Sequence, residues 1–214
     1  ERRGIVAYGP TELVITARCG TPLAEIEAAL AAQGQCLPFE PPHFGAAASS
    51  ATVGGVVAAG LSGPRRAAVG AVRDFVLGVQ LLDGVARRLT FGGQVMKNVA
   101  GYDVSRLMAG SLGTLGLILE VSLKVLPRPV AEATLRFDLP QAQAIEAMNA
   151  WAGQPLPISA TCWQDGVLTV RLSGARAAVA AACRKLGGDL GDEGAAFWEA
   201  LRQQRLDFFA SGEI

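Results

Sequence analysis

Two glycine-rich stretches are where the residue types and spacing of this chain could do chemistry. GSLGTLG (110–116) sets Gly110, Gly113 and Gly116 every third residue, just before the apolar run LILEVSLKVL. Glycine permits positive φ and close main-chain approach, so this spacing can cradle a phosphate or let two backbones pass closely. SSATVGGVVAAGLSG (49–63) is mostly Ala, Gly, Val and Ser and carries no charge. A short helix opening near Thr52 would have a nearly bare surface, able to lie against a flat ligand or another backbone.

Other chemistries are narrowed by composition. His43 is the single histidine, which excludes a multi-histidine metal site. Cys19, Cys36, Cys162 and Cys183 are scattered and never form C-x-x-C. They are expected to be reduced thiols of a cytoplasmic protein, and no iron–sulfur cluster or other metal site is expected. Nineteen Lys+Arg balance nineteen Asp+Glu, so the basic footprint of a nucleic-acid binder is missing. Stretches such as VGGVVAAGL (53–61) are too short and glycine-rich to span a bilayer. No signal peptide is read at ERRGIV, and the missing initiator Met suggests a piece of a longer chain.

The elements that must position the glycines follow from periodicity. LVITAR (13–18) reads as a strand. Thr21-Pro22 supplies an N-cap and N1 proline for a helix with Leu23, Ile26 and Leu30 on one face, ending near Gly34. Three prolines make LPFEPPHFGA (37–46) an extended loop. FVLGVQLL (75–82), the pair Asp83-Gly84 and VARRLTF (85–91) predict a hairpin. YDVSRLMAG (102–110) reads as a short helix capped by Asp103, and LGLILEVSLKVLP (115–127) as a long strand closed by proline. The order around GSLGTLG is therefore helix, glycines, strand, the reverse of a Rossmann fingerprint.

Beyond Arg128-Pro129 the texture changes. ATLRFDL (133–139), a helix from Pro140 to Trp151, and a hairpin of ISATCW (158–163) with VLTVRLS (167–173) precede helices over 175–186 and 195–206. This β-α-β-β-α order is most of a ferredoxin-like unit. The fold class is α+β, with a domain over 1–130 and a smaller one over 131–214.

PPHFG, ATVGG, GLSGPRR, VGAVRDFVLG and FGGQVMKNVAGYDVSRLMAGSLGTLG together resemble the FAD-binding domain of the vanillyl-alcohol-oxidase (PCMH-type) flavoproteins, and within it the E-subunit family of bacterial glycolate oxidase. The resemblance implies a second FAD-binding subdomain followed by a small cap domain. It implies flavin contacts at Pro42, Gly45, Ala51, Thr52, Val53, Gly54, Gly55 and Ala58, near Gly60, and at Gly113, Gly116 and Ile118. An FAD pyrophosphate can be held without lysine if backbone N–H groups converge in a nest. ATVGG is expected to make that nest, and GSLGTLG to contact the ligand or turn beneath its adenine side.

The same resemblance implies oxidation of glycolate to glyoxylate with electrons passed onward, beside a catalytic FAD subunit and an iron–sulfur subunit. It places the protein in the cytoplasm, with attachment to the inner membrane only through partners. The family's other FAD subdomain carries the main pyrophosphate loop and precedes the first residue here, so the chain alone is expected to hold FAD weakly. A single histidine cannot reproduce the clustered histidines of catalytic relatives. No catalytic residue is assigned, and a non-catalytic assembly role or oxidation of another alcohol are the alternatives. Internal pairing is expected for Arg65-Arg66 and Arg73-Asp74, a half-buried setting for Tyr102, and flavin contact or solvation for His43. Phe208-Phe209 are expected to follow the last helix as an interface.

Overall fold

The fold is taken from a computed structural model that describes residues 2–44, 51–93 and 101–210. Lys97-Asn98 and Gly45 lie outside the described residues. The chain forms two compact units, one of Glu1–Gly63 with Gly70–Arg128 and one of Pro64–Val69 with Pro129–Ile214. The excursion of residues 64–69 into the second unit has no counterpart in the sequence reading.

In the first unit, β1 (Ile5–Gly9) and β2 (Val14–Arg18) form a hairpin, followed by α1 (Leu23–Ala31), β3 (Gln35–Cys36) and α2 (Val53–Ala59). The second unit then claims α3 (Arg66–Val69), before the chain continues through β4 (Val76–Leu82), β5 (Arg88–Gly92), α4 (Val104–Leu107), β6 (Leu117–Lys124) and β7 (Leu126–Pro127). The main sheet is antiparallel in the order β1-β2-β6-β4-β5, and β3 pairs with β7. Strands β2, β4 and β6 bury Ile15, Val79, Val121 and Leu123. Helix α2 lies against β2 and β6, and α4 against β4 and β5.

Two local readings change. Pro22, not Thr21, occupies the α1 cap, because the Thr21 hydroxyl is used elsewhere. It accepts from the Gly4 amide at 2.8 Å and donates to the Gly4 carbonyl at 3.1 Å. The expected Asp83-Gly84 turn is a longer loop between paired Leu82 and Arg88, with the positive φ (62°) on Ala86. The Asp83 carboxylate organises it, accepting from the Arg87 amide (2.9 Å), the Val85 amide (3.0 Å) and Arg87 Nε (2.9 Å). These donors hold the carboxyl below its ordinary value, the Arg87 amide first among them.

The second unit contains β8 (Ala131–Asp138), α5 (Gln141–Ala152), β9 (Ile158–Gln164), β10 (Val167–Gly174), α6 (Arg176–Leu186), β11 (Asp189–Leu190), α7 (Gly194–Arg202) and α8 (Asp207–Ala210). Its antiparallel order, β11-β8-β10-β9, completes the split β-α-β-β-α-β arrangement, because the short β11 supplies the fourth strand. Leu135, Leu168, Val170 and Leu172 form the core with Ala144 of α5 and Val179 and Ala182 of α6.

Successive strand residues face opposite sides, so Thr134 and Arg171 point to the other face, where α7 lies. There Trp198 is buried, its Nε1 donates to Thr134 Oγ1 at 3.0 Å, and Arg171 sits 5.0 Å from the ring centroid. Trp198 anchors α7, whereas Phe197, Leu201 and Leu206 are only half-buried. Phe208 and Phe209 stand in α8 rather than outside a helix, 67% and 40% exposed.

Candidate functional site

The two glycine-rich stretches meet in the first unit, at the C-terminal end of α2. Its last carbonyls lie beyond the reach of a further helical turn, and the Val57 carbonyl already accepts from the Gly60 amide at 3.1 Å. The Gly110 amide donates to the Val57 carbonyl at 3.0 Å, and the Leu112 amide to the Ala58 carbonyl at 2.8 Å. Gly60 closes the helix in the left-handed region (φ 71°), where a side chain would stand 3.1 Å from Gly110 Cα. Close passage of two backbones is therefore the use made of Gly60 and Gly110. A Cβ on Gly116 would meet the Leu82 carbonyl at 2.9 Å, again protein rather than open space.

Gly113 is exposed, has φ 77°, and a Cβ built on it, as on exposed Gly110, would meet nothing within 4 Å. Two residues earlier, Ser111 Oγ is buried without a hydrogen-bond partner among the described residues. Such a group ordinarily costs stability unless something completes it.

The other end of α2 does not form the expected nest. The Val53 amide donates to the Thr21 carbonyl at 3.0 Å, and the Gly54 amide to the Cys19 carbonyl at 2.9 Å. The Gly55 amide donates to the capping Thr52 Oγ1 at 3.2 Å. All three are used inside the protein, so they are not free to converge on a pyrophosphate. Gly54 also has a packing role, since a Cβ there would lie 2.5 Å from Cys19 Cβ and 2.8 Å from its carbonyl oxygen. Gly55 faces outward and would meet only Thr52 Oγ1, at 3.2 Å.

The remaining expected residues divide by burial. Pro42, Val53, Gly54 and Ile118 are buried; Ala51, Thr52, Ala58, Gly60 and Gly116 are half-buried; Gly55 and Gly113 are exposed. Leu112 and Leu115 within the 110–116 turn, and Leu117 just after it, are exposed. An apolar surface beside an unsatisfied hydroxyl and an open glycine fits a flat, largely aromatic ligand with polar edges, and FAD is such a molecule. The residues present fit it through the 110–116 turn and the outward side of α2, not through the first-turn amides.

Three side chains bear on the sequence readings. His43 is half-buried, and its Nε2 lies 3.0 Å from Glu27 Oε2 of α1. Tyr102 is 95% exposed rather than half-buried. Asp74 spends its Oδ2 on the Ala71 amide at 2.9 Å, fixing the turn before β4. Cys19 and Thr21, which take up the α2 amides, carry no local signal, since the contact spans more than thirty residues. Ser111 lay inside the motif, but only its lack of a partner singles it out. Among the described residues no group of three His, Cys, Asp or Glu could hold a metal ion, and no helix is long and apolar enough to cross a membrane.

Residues 2–92 match the family described as FAD binding domain. The chain is 55% identical over 208 residues to glycolate oxidase subunit GlcE of Escherichia coli K12, covering 97% of this chain and 58% of that protein. It is 32% identical over 131 residues to glycolate oxidase subunit GlcD of Bacillus subtilis 168, covering 61% of this chain and 27% of that one. Among solved structures, alkyldihydroxyacetonephosphate synthase shares the fold with a TM-score of 0.69 at 20% identity, over 97% of this chain and 45% of that chain. The chain thus spans little more than half the length of the E. coli subunit it matches. Residues 2–92 thus match an FAD binding domain, in a chain similar to the E. coli glycolate oxidase subunit over nearly its whole length.

Proposed function

We propose that this chain belongs to the FAD-binding subunit of a glycolate-oxidising complex, contributing to conversion of glycolate to glyoxylate. The observation that carries the reading is the meeting of α2 with the 110–116 turn, within a chain 55% identical to a glycolate oxidase subunit. Oxidising a 2-hydroxy acid removes a hydride from carbon and a proton from the hydroxyl. Bound FAD supplies the two-electron acceptor for that change. In this chain Gly55, Gly113 and the Ser111 hydroxyl would hold the cofactor, and Leu112 and Leu115 would keep water from it.

No residue here is assigned to proton removal, and the one histidine is engaged by Glu27. The substrate step accordingly falls to a catalytic FAD subunit, and onward electron transfer to an iron–sulfur subunit. In this reading the FAD domain runs to about residue 130 and residues 131–214 form its cap. The complex works in the cytoplasm, with any membrane attachment made by its partners.

The test is the visible flavin spectrum of the purified full-length protein, then anaerobic addition of glycolate with and without the co-expressed partner subunits. Bound flavin that bleaches only in the assembled complex is the expected result. A colourless full-length protein that still assembles would replace the flavin role with a structural one.

A further inference from the structure

We propose that the groove between α7 and the sheet of the second unit is a docking site for a lysine- or arginine-bearing stretch of a partner protein, bound in extended form. The groove encloses about 920 Å³. Thr134 of β8 and Thr169 of β10 lie on its floor, and Phe197 and Ala200 of α7 form a wall.

Charge sets the class of occupant. Asp138, Asp165, Asp189, Asp192 and Glu193 line the groove, and among the described residues Arg136 is the one base lining it. Among the same residues, Asp138, Asp189, Asp192 and Glu193 make no ion pair and no side-chain hydrogen bond. Like charges gathered on a concave surface repel one another and raise the local concentration of cations. Yet among the described residues no three acidic groups could hold one metal ion. The carboxylates therefore suit several cationic side chains in a row rather than a single ion.

A second observation comes from the floor. Thr169 is only 5% exposed, yet its hydroxyl makes no hydrogen bond among the described residues. Leu168 and Val170 on either side belong to the core, so alternation puts Thr169 on the groove face. Arg136 stands directly opposite Thr169 in one ladder and opposite Asp189 in the other, and forms no ion pair with that carboxylate. A guanidinium only donates, and a threonine hydroxyl both donates and accepts. Peptide carbonyls satisfy both groups, whereas a polyamine offers Arg136 nothing to donate to. Val167, Phe197 and Ala200 supply apolar surface for the aliphatic stems of lysine or arginine, whose charged ends then reach the carboxylates.

The experiment uses the full-length protein and a fluorescein-labelled decapeptide of alternating lysine and alanine, read by fluorescence anisotropy. Wild type is expected to bind the peptide, more weakly as salt rises, with slower hydrogen exchange over residues 187–200. A single exposed charge pair contributes little, so Asp189→Asn, Asp192→Asn and Glu193→Gln are combined, and that variant should bind about tenfold more weakly. Removing three carboxylates elsewhere, by Glu12→Gln, Glu146→Gln and Asp207→Asn, should leave the affinity unchanged. Thr169→Val keeps the side chain's shape and should weaken the peptide about threefold without lowering the unfolding midpoint. Spermine should compete poorly.

Wild-type protein that does not bind the peptide overturns the docking site. Equal losses in the two triple variants overturn it as well, because net charge alone then accounts for binding. Wild-type affinity in Thr169→Val, or binding without protection of residues 187–200, puts the peptide outside the groove and overturns the assignment. Spermine that binds as tightly as the peptide overturns a protein segment as the occupant in favour of a small polycation.

Discussion

Gly54 and Gly55 are adjacent in sequence and helix, yet the structure assigns opposite outcomes to the same substitution. A methyl at Gly54 would lie 2.5 Å from Cys19 Cβ, 2.8 Å from Cys19 O and 2.9 Å from Cys19 Cα. That backbone cannot easily retreat, because the Cys19 amide is bonded to the Leu119 carbonyl at 2.9 Å and the Gly20 amide to the Arg2 carbonyl at 2.8 Å. Overpacking of this kind costs roughly 1–3 kcal/mol. Forcing α2 away also strains the Gly54 amide bond to Cys19, worth about 1 kcal/mol. Against these, alanine in a helix gains roughly 0.5–1 kcal/mol over glycine. The balance is a loss of about 2 kcal/mol for Gly54→Ala, and more for valine.

At Gly55 the only neighbour within 4 Å is Thr52 Oγ1 at 3.2 Å, so the helix gain stands nearly alone and Gly55→Ala should raise stability, by up to roughly 0.5–1 kcal/mol. Trp151, Trp163 and Trp198 all lie beyond the first unit, so tryptophan fluorescence is blind to it. The assay is thermal unfolding by far-ultraviolet circular dichroism, with hydrogen exchange at α2. A loss of about 2 kcal/mol corresponds to a fall of roughly 5–10 °C for a unit of this size. A nest at ATVGG would have Gly54→Val empty the flavin site and spare the fold; the contacts of Gly54 with Cys19 have the fold fail first. Equal stability of Gly54→Ala and Gly55→Ala would refute the packing argument.

Three further outcomes are expected. Ser111→Ala should raise the stability of flavin-free protein, by about 1 kcal/mol, because it removes a buried hydroxyl without a partner; the same change should weaken FAD in a fluorescence titration. Trp198→Phe should cost about 1–2 kcal/mol in urea unfolding of the second unit, since Thr134 Oγ1 loses its donor. Asp83 has a lowered folded-state pKa, so its contribution is present above the unfolded value and is lost as pH falls through the folded one. Amide protection at Val85 and Arg87 should therefore persist at neutral pH and disappear only in acid, and Asp83→Ala should lack it at every pH.

The parts of the fold legible in the sequence are those where neighbouring residues decide. Leu23, Ile26 and Leu30 repeat at helical spacing and are buried as a stripe. Asp165-Gly166 joins β9 to β10 with φ of 50° and 83°, as a tight hairpin turn demands. The same logic failed at Asp83-Gly84, because a carboxylate that gathers two amides and a guanidinium stabilises a longer loop than the dipeptide alone would form. β11 escaped the reading because two residues are too few to show alternation.

The candidate site was legible as a place but not as a set of contacts. ATVGG and GSLGTLG do come together, yet their glycines divide by what lies opposite. Gly54, Gly60 and Gly116 lie against protein from distant parts of the chain, whereas Gly55, Gly110 and Gly113 are exposed. No spacing rule distinguishes the two groups, because the partners Cys19, Gly110 and Leu82 are set by tertiary packing. A ligand can use only the glycines that the protein has not already used. In the first turn of α2 the amides of Val53, Gly54 and Gly55 are already engaged, whereas in the 110–116 turn Gly113 has nothing opposite it and the buried Ser111 hydroxyl has no hydrogen-bond partner among the described residues.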